Sequence, residues 1–235
     1  MTANEKDGVP ERSREDVALT IAKAGLSAIP VVGGPVAELF GLVVTPALDR
    51  RREEWMHSVA GRLEELEGRV KGFRIEDLPK NEAFISTLTH ASQAAIRTHQ
   101  QEKLEALRNA VANVAIGSSP DENVQLMFVN LVDRLTPLHL RILRFFENPR
   151  PPEQHGTYPT RMHMIGSPAR VLEEGIPGLK GKQELYELVV RDLHSAGLFS
   201  VSSLGGTVTG QGMYESRTTK LGDEFLRFIT SPSEP

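Results

Sequence analysis

AGLSAIPVVGGPVAELFGLVVTPAL, residues 24–48, holds a single ionisable side chain, Glu38. A run this apolar ordinarily reads as a membrane span. Its middle argues otherwise. Pro30, Gly33, Gly34 and Pro35 interrupt it, and proline inside a helix costs ~3 kcal/mol or more. Glu38 would add ~2.5–3.5 kcal/mol at a bilayer centre. The pattern predicts two short helices, about 14–28 and 35–48, joined by a turn over residues 29–34. At ~1.5 Å per residue neither half crosses a ~30 Å hydrocarbon core. Two readings of this apolar hairpin stand side by side. It closes a soluble core, or it leaves the fold to enter a membrane, with Ile29, Pro30, Gly33, Gly34, Pro35, Val36 and Phe40 as its acting residues. The Arg50-Arg51-Arg52 triplet that follows suits an interface as well as it suits a helix C-terminus.

Outward from this segment the chain is helical. Residues 1–15 are polar, with mixed charge, and read as a flexible N-terminus without a secretory signal. Trp55, Val59, Leu63, Leu66, Val70 and Phe73 recur at steps of three and four, one face of an amphipathic helix. Asn81 is placed to cap a long helix through Phe84, Leu88, Ser92, His99, Leu107 and Val114, with a polar stretch at residues 97–103 where it is expected to leave the core, bend or pack against a polar partner. His99 lies near that stripe and reads as a structural histidine. Ser119-Pro120-Asp121-Glu122 predicts a helix with Ser119 as N-cap and Glu122 completing a capping box. Met127, Phe128, Leu131, Val132 and Leu135 form its expected inner side. Thr136-Pro137 starts another helix by the same device.

The C-terminal part has a different order. A loop at 149–167, rich in proline, glycine and histidine, precedes a short helix at Ser167-Pro168 and a longer one over residues 182–196. Leu185, Leu188, Val189 and Leu193 are the expected inward positions of the longer helix, and Gly197-Leu198 its Schellman stop. Residues 199–203 and 207–213 are expected to pair as a β-hairpin, and Thr218 or Thr219 caps a last helix. Three helices, a two-stranded wing and a helix make the order of a winged-helix module. The fold class is therefore mainly α. A flexible N-terminus at 1–15 leads to a helical domain at 16–133, with its apolar hairpin at 16–48. A winged-helix-like domain follows at 134–235, with an inserted loop at 149–167.

Composition limits the chemistry. Cysteine is absent, which removes disulfides, thiolate metal sites and a thiol nucleophile and fits a reducing cytoplasm. The net charge is −4, from 27 Lys and Arg against 31 Asp and Glu. Residues 134–235 carry 12 basic against 11 acidic side chains. Phosphate neutralisation needs a cationic surplus, so the balance disfavours nucleic acid. Lys182, Arg191, Arg217 and Lys220 are the candidate contacts to a partner or to phosphates. His155 and His163, with Glu153, are too sparse for a metal site. No phosphate-binding loop, zinc-protease helix or nucleophile elbow occurs. No catalytic residue, metal or cofactor is expected. A protein partner or self-association is, and the expected location is the cytoplasm, with peripheral contact at the inner membrane if the hairpin is exposed.

Three stretches carry a resemblance. Residues 29–40, IPVVGGPVAELF, form a glycine- and proline-containing apolar region. Asp121-Glu122 leads into Leu126-Met127-Phe128-Val129-Asn130-Leu131. Leu193, Gly197-Leu198 and the run Thr219-Lys220-Leu221-Gly222-Asp223-Glu224-Phe225 close the chain. In this order, over residues 20–230, the chain resembles the abortive-infection alpha family of bacterial proteins. Residues 149–179 have no counterpart in that pattern. The resemblance implies a non-enzymatic role in anti-phage defence or stress and supplies no catalytic residues. A winged-helix transcription regulator is the alternative that the C-terminal order leaves open.

Overall fold

The computed structural model describes residues 35–149 and 165–232. The expected helix at 14–28, the turn at 29–34 with Ile29, Pro30, Gly33 and Gly34, and most of the loop at 149–167 lie outside the described residues. What is described is mainly helical, in two compact units. Among the described residues, the first comprises 35–99, 107–129 and Pro232, and the second 100–106, 130–149 and 165–231.

The first unit begins with α1, Pro35–Arg69, a single helix of 35 residues. The sequence predicts a stop at Leu48, and there is none. No glycine or proline follows Leu48 before Gly61, so nothing supplies the left-handed or donor-free residue that ends a helix. The arginine triplet adds good helix formers, and local ion pairs support the path: Arg52 with Asp49 at 3.4 Å and Arg50 with Glu54 at 3.7 Å. Pro46 is carried inside the helix. The triplet is therefore mid-helix and caps no terminus. Among the described residues, no helix is long and apolar enough to cross a membrane.

A 3-10 turn, Ile75–Lys80, returns the chain to α2, Glu82–Arg97. Asn81 caps α2 by accepting the Phe84 N–H at 3.0 Å. Arg51 donates to the Ile96 carbonyl, and Trp55 to Ser92 at 2.9 Å. Four residues forward on α1 are four back on α2, so the two helices run antiparallel. Trp55, Val59, Leu63 and Leu66 are buried against Phe84, Leu88, Ala91 and Ala95.

The expected long helix from Asn81 through Val114 is broken. Thr98 is extended (φ −117°, ψ 153°), and α3, Gln101–Ala115, starts afresh. The break falls in the polar stretch, where no apolar stripe holds the helix to a core, and it leaves His99 exposed. α3 ends at Gly117 (φ +73°), where Ser118 N–H reaches the Asn113 carbonyl at 2.9 Å in a Schellman stop. The next helix, α4, is Glu122–Arg134. Asp121 caps it, in place of the expected Ser119, by accepting the Asn123 N–H at 3.0 Å. Ser119 instead accepts from the buried Gln125 amide, which also reaches the Pro120 carbonyl at 2.8 Å. Met127, expected inside, is 41% exposed, because Phe128, Val129, Leu131 and Val132 take the inner face.

The second unit is built on α5, Pro137–Glu147, with Pro137 at its first turn. Then come β1, Ile165–Gly166; α6, Pro168–Gly175; α7, Gln183–Ser195; β2, Val208–Thr209; and α8, Lys220–Phe228. Leu140, Leu143 and Phe146 of α5 meet the buried faces of α6, α7 and α8. Phe146 and Phe199 make an edge-to-face pair at 5.5 Å. Gly197 (φ +75°) stops α7 as the sequence predicts, with Leu198 N–H on the Leu193 carbonyl at 3.0 Å.

The expected hairpin pairs differently. Phe199 bridges Thr218 antiparallel, while β2 pairs antiparallel with β1, Ile165 opposite Thr209. The physical cause is Leu204, at the centre of the expected turn. Its side chain is fully buried. Its N–H donates to the Glu187 carboxylate at 3.1 Å, and its carbonyl accepts from Ala169 at 3.3 Å. A turn residue drawn into the core leaves the two arms free to find other partners.

Candidate functional site

α7 is the helix on which the unit's polar groups and its exposed apolar surface converge. Tyr186, Val189, Val190 and Leu193 are buried, at i, i+3, i+4 and i+7. Tyr186 donates its phenol to Glu173 at 3.1 Å. Burial disfavours the phenolate, and the Glu173 carboxylate accepts a hydrogen bond from the neutral phenol and repels its anion, so the phenol is pushed up to about 12. It is a structural donor at neutral pH. Glu187, on the next position, holds the Leu204 amide.

On the other flank, Asp192 Oδ2 lies 3.5 Å from His139 Nε2. His139 is buried at the start of α5, and its Nδ1 accepts the Thr136 N–H at 3.3 Å. An Nδ1 that accepts leaves the neutral ring's proton on Nε2, facing Asp192. Burial lowers the imidazole below its usual range. Asp192 opposes this, while Arg134 and Lys103 add to it. Lys103 is itself buried and donates to the Asp133 carbonyl at 2.7 Å.

The groups directed into the fold leave a defined outer stripe on α7. Glu184, Leu188, Arg191 and Ser195 are exposed at i, i+4, i+7 and i+11, and Leu185 is exposed beside them. Leu185 is 43% and Leu188 51% exposed. The sequence reading placed both inside. The face is rotated: Tyr186 and Val190 satisfy the same spacing and take the inner side with Val189 and Leu193. That competing stripe, visible as Tyr186-Val189-Val190-Leu193, was the signal that could have found the exposed leucines.

Of the sequence-predicted contacts, Lys182 sits at the N-cap position of α7, exposed, and its carbonyl accepts the Leu185 and Tyr186 amides. Arg191 is on the outer stripe. Lys220 is exposed in the first turn of α8. Arg217 is half-buried, and its guanidinium donates to the Gly212 carbonyl. Pro35, Val36 and Phe40 fall in the first turns of α1. Among the described residues there is no group of three or more side chains suited to hold a metal ion.

No family model matches the chain, no curated protein matches it, and no solved structure matches it.

Proposed function

We propose that this chain is a non-enzymatic effector of anti-phage defence or stress that works through protein contact, with its C-terminal unit as the contact module. The order α5, β1, α6, α7 and then the pairing of Phe199 with Thr218 supports reading that unit as winged-helix-like. In that reading α7 stands where a groove-reading helix would stand. The observation that carries the function is Leu188, half exposed at the middle of the helix's outer stripe. A helix that reads a duplex presents donors and cations to bases and phosphates. A helix that binds protein presents an apolar centre with a polar rim. The outer stripe of α7 has the second composition. The resemblance to the abortive-infection alpha family supplies the defence role, and the apolar segment at 16–48 is the acting part, membrane-directed, in the same reading.

The test compares phage yield in cells expressing the wild-type chain and Leu188→Asp, with folding of both checked by circular dichroism. Protection by the wild-type chain and its loss in Leu188→Asp are expected. Equal phage yield in all cells overturns the proposal. So does tight, salt-sensitive duplex binding at ~50 mM salt that falls on Lys182→Glu or Arg191→Glu, which is the behaviour of a transcription regulator.

A further inference from the structure

We propose that the outer stripe of α7 binds a second copy of this chain, antiparallel and isologous, an inference that rests on the protein-contact reading above and names its partner. The stripe reads Glu184, Leu188, Arg191: negative, apolar, positive. At ~1.5 Å per residue the acid lies ~6 Å before the leucine and the base ~4.5 Å after it, so the pattern is nearly symmetric about Leu188. Inverting it gives positive, apolar, negative. A second copy laid antiparallel across the first therefore sets Arg191 against the other copy's Glu184, twice, with the two Leu188 side chains between them.

The two-fold geometry requires this arrangement of flanks. Antiparallel helices related by a two-fold axis bring the same flank of each together. Glu184 and Arg191 share a flank, seven residues apart, so they meet reciprocally. A parallel pairing brings opposite flanks together, so Glu184 and Arg191 would face the other copy's Leu185 flank and no reciprocal charge pair would form. Asp192 does not compete for the pairing, because its carboxylate is turned toward His139 at 3.5 Å. Leu185 extends the apolar centre on the other flank. Two leucines per copy make a small centre, so the contact falls in the weak class below ~1,200 Å². The dimer is therefore expected to form at tens of micromolar, a dissociation constant of ~10–100 µM.

The experiment is sedimentation equilibrium of the full-length chain up to ~300 µM, with circular dichroism as the folding control. The wild-type chain is expected to dimerise. Leu188→Asp, Arg191→Glu and Glu184→Arg are each expected to weaken the dimer by ~10-fold or more, and the combined Glu184→Arg, Arg191→Glu variant to return within ~3-fold of the wild type. A wild-type chain that stays monomeric, a dimer indifferent to Leu188→Asp, or a charge swap without recovery overturns the proposal. The phage assay separates the two claims. A monomeric wild type whose protection is still lost on Leu188→Asp keeps protein contact and removes the second copy. A charge-swappable dimer without effect on phage yield keeps the second copy and removes the defence role.

Discussion

His139 Nε2 faces Asp192 Oδ2 at 3.5 Å, and the other nitrogen of the same ring accepts the Thr136 amide. One imidazole thus caps the start of α5 and ties it to α7. Its proton inventory is fixed by that double duty, since a protonated ring has two donors and no acceptor for Thr136.

The consequence is a pH dependence of stability. Burial lowers His139 below the usual histidine value near 6.5. In the window below that value, the unfolded chain takes up a proton that the folded chain refuses. Stability from this group is complete above about pH 6.5, falls as the pH drops through that value, and levels off once the folded ring is protonated. Urea denaturation from pH 8 to pH 5 is expected to show this decline in the wild type and a flatter profile in His139→Gln. Parallel profiles for the two proteins would show that another group governs the acid limb.

Gly222 carries the opposite of the usual glycine effect. In a helix, Gly→Ala ordinarily stabilises by about 1 kcal/mol. Here a Cβ on Gly222 would lie 2.2 Å from the Leu198 carbonyl oxygen, a backbone atom that no side-chain rotation moves aside. Gly222→Ala is expected to destabilise the chain by about 1–3 kcal/mol, read as a lower thermal midpoint. A midpoint equal to or above the wild type would contradict the close approach of α8 to the end of α7.

The buried pair Trp55 and Ser92 makes a double-mutant cycle. Trp55→Phe strands the Ser92 hydroxyl, and Ser92→Ala strands the indole N–H, each costing about 1–3 kcal/mol. With both changed, no polar group is left unpaired, so the double variant is expected to lose less than the two losses added together. Additive losses would mean that the 2.9 Å contact contributes nothing beyond packing.

The local signals were legible in the chain because they act over a few residues. Asn81 before α2, Pro137 in the first turn of α5, Gly197 after α7 and Thr219 before α8 are written where the structure uses them. Each acts on backbone groups within four residues of itself, by capping them or, for Pro137, by removing a donor the first turn cannot use, which periodicity and capping rules describe directly. The stripe from Trp55 to Leu66 was equally plain, since a single face is apolar.

What only the tertiary structure decided was the choice between equivalent local options. The long helix breaks at Thr98 because its polar stretch has no core to follow. α7 turns Tyr186 and Val190 inward and leaves Leu185 and Leu188 outside, although both pairs fit the 3.6-residue repeat. Leu204 leaves its expected turn because Glu187, seventeen residues earlier, holds its amide. The sequence determined which faces could be buried. Packing determined which were, because a helix with two acceptable apolar stripes is oriented by the volume its neighbours leave to fill.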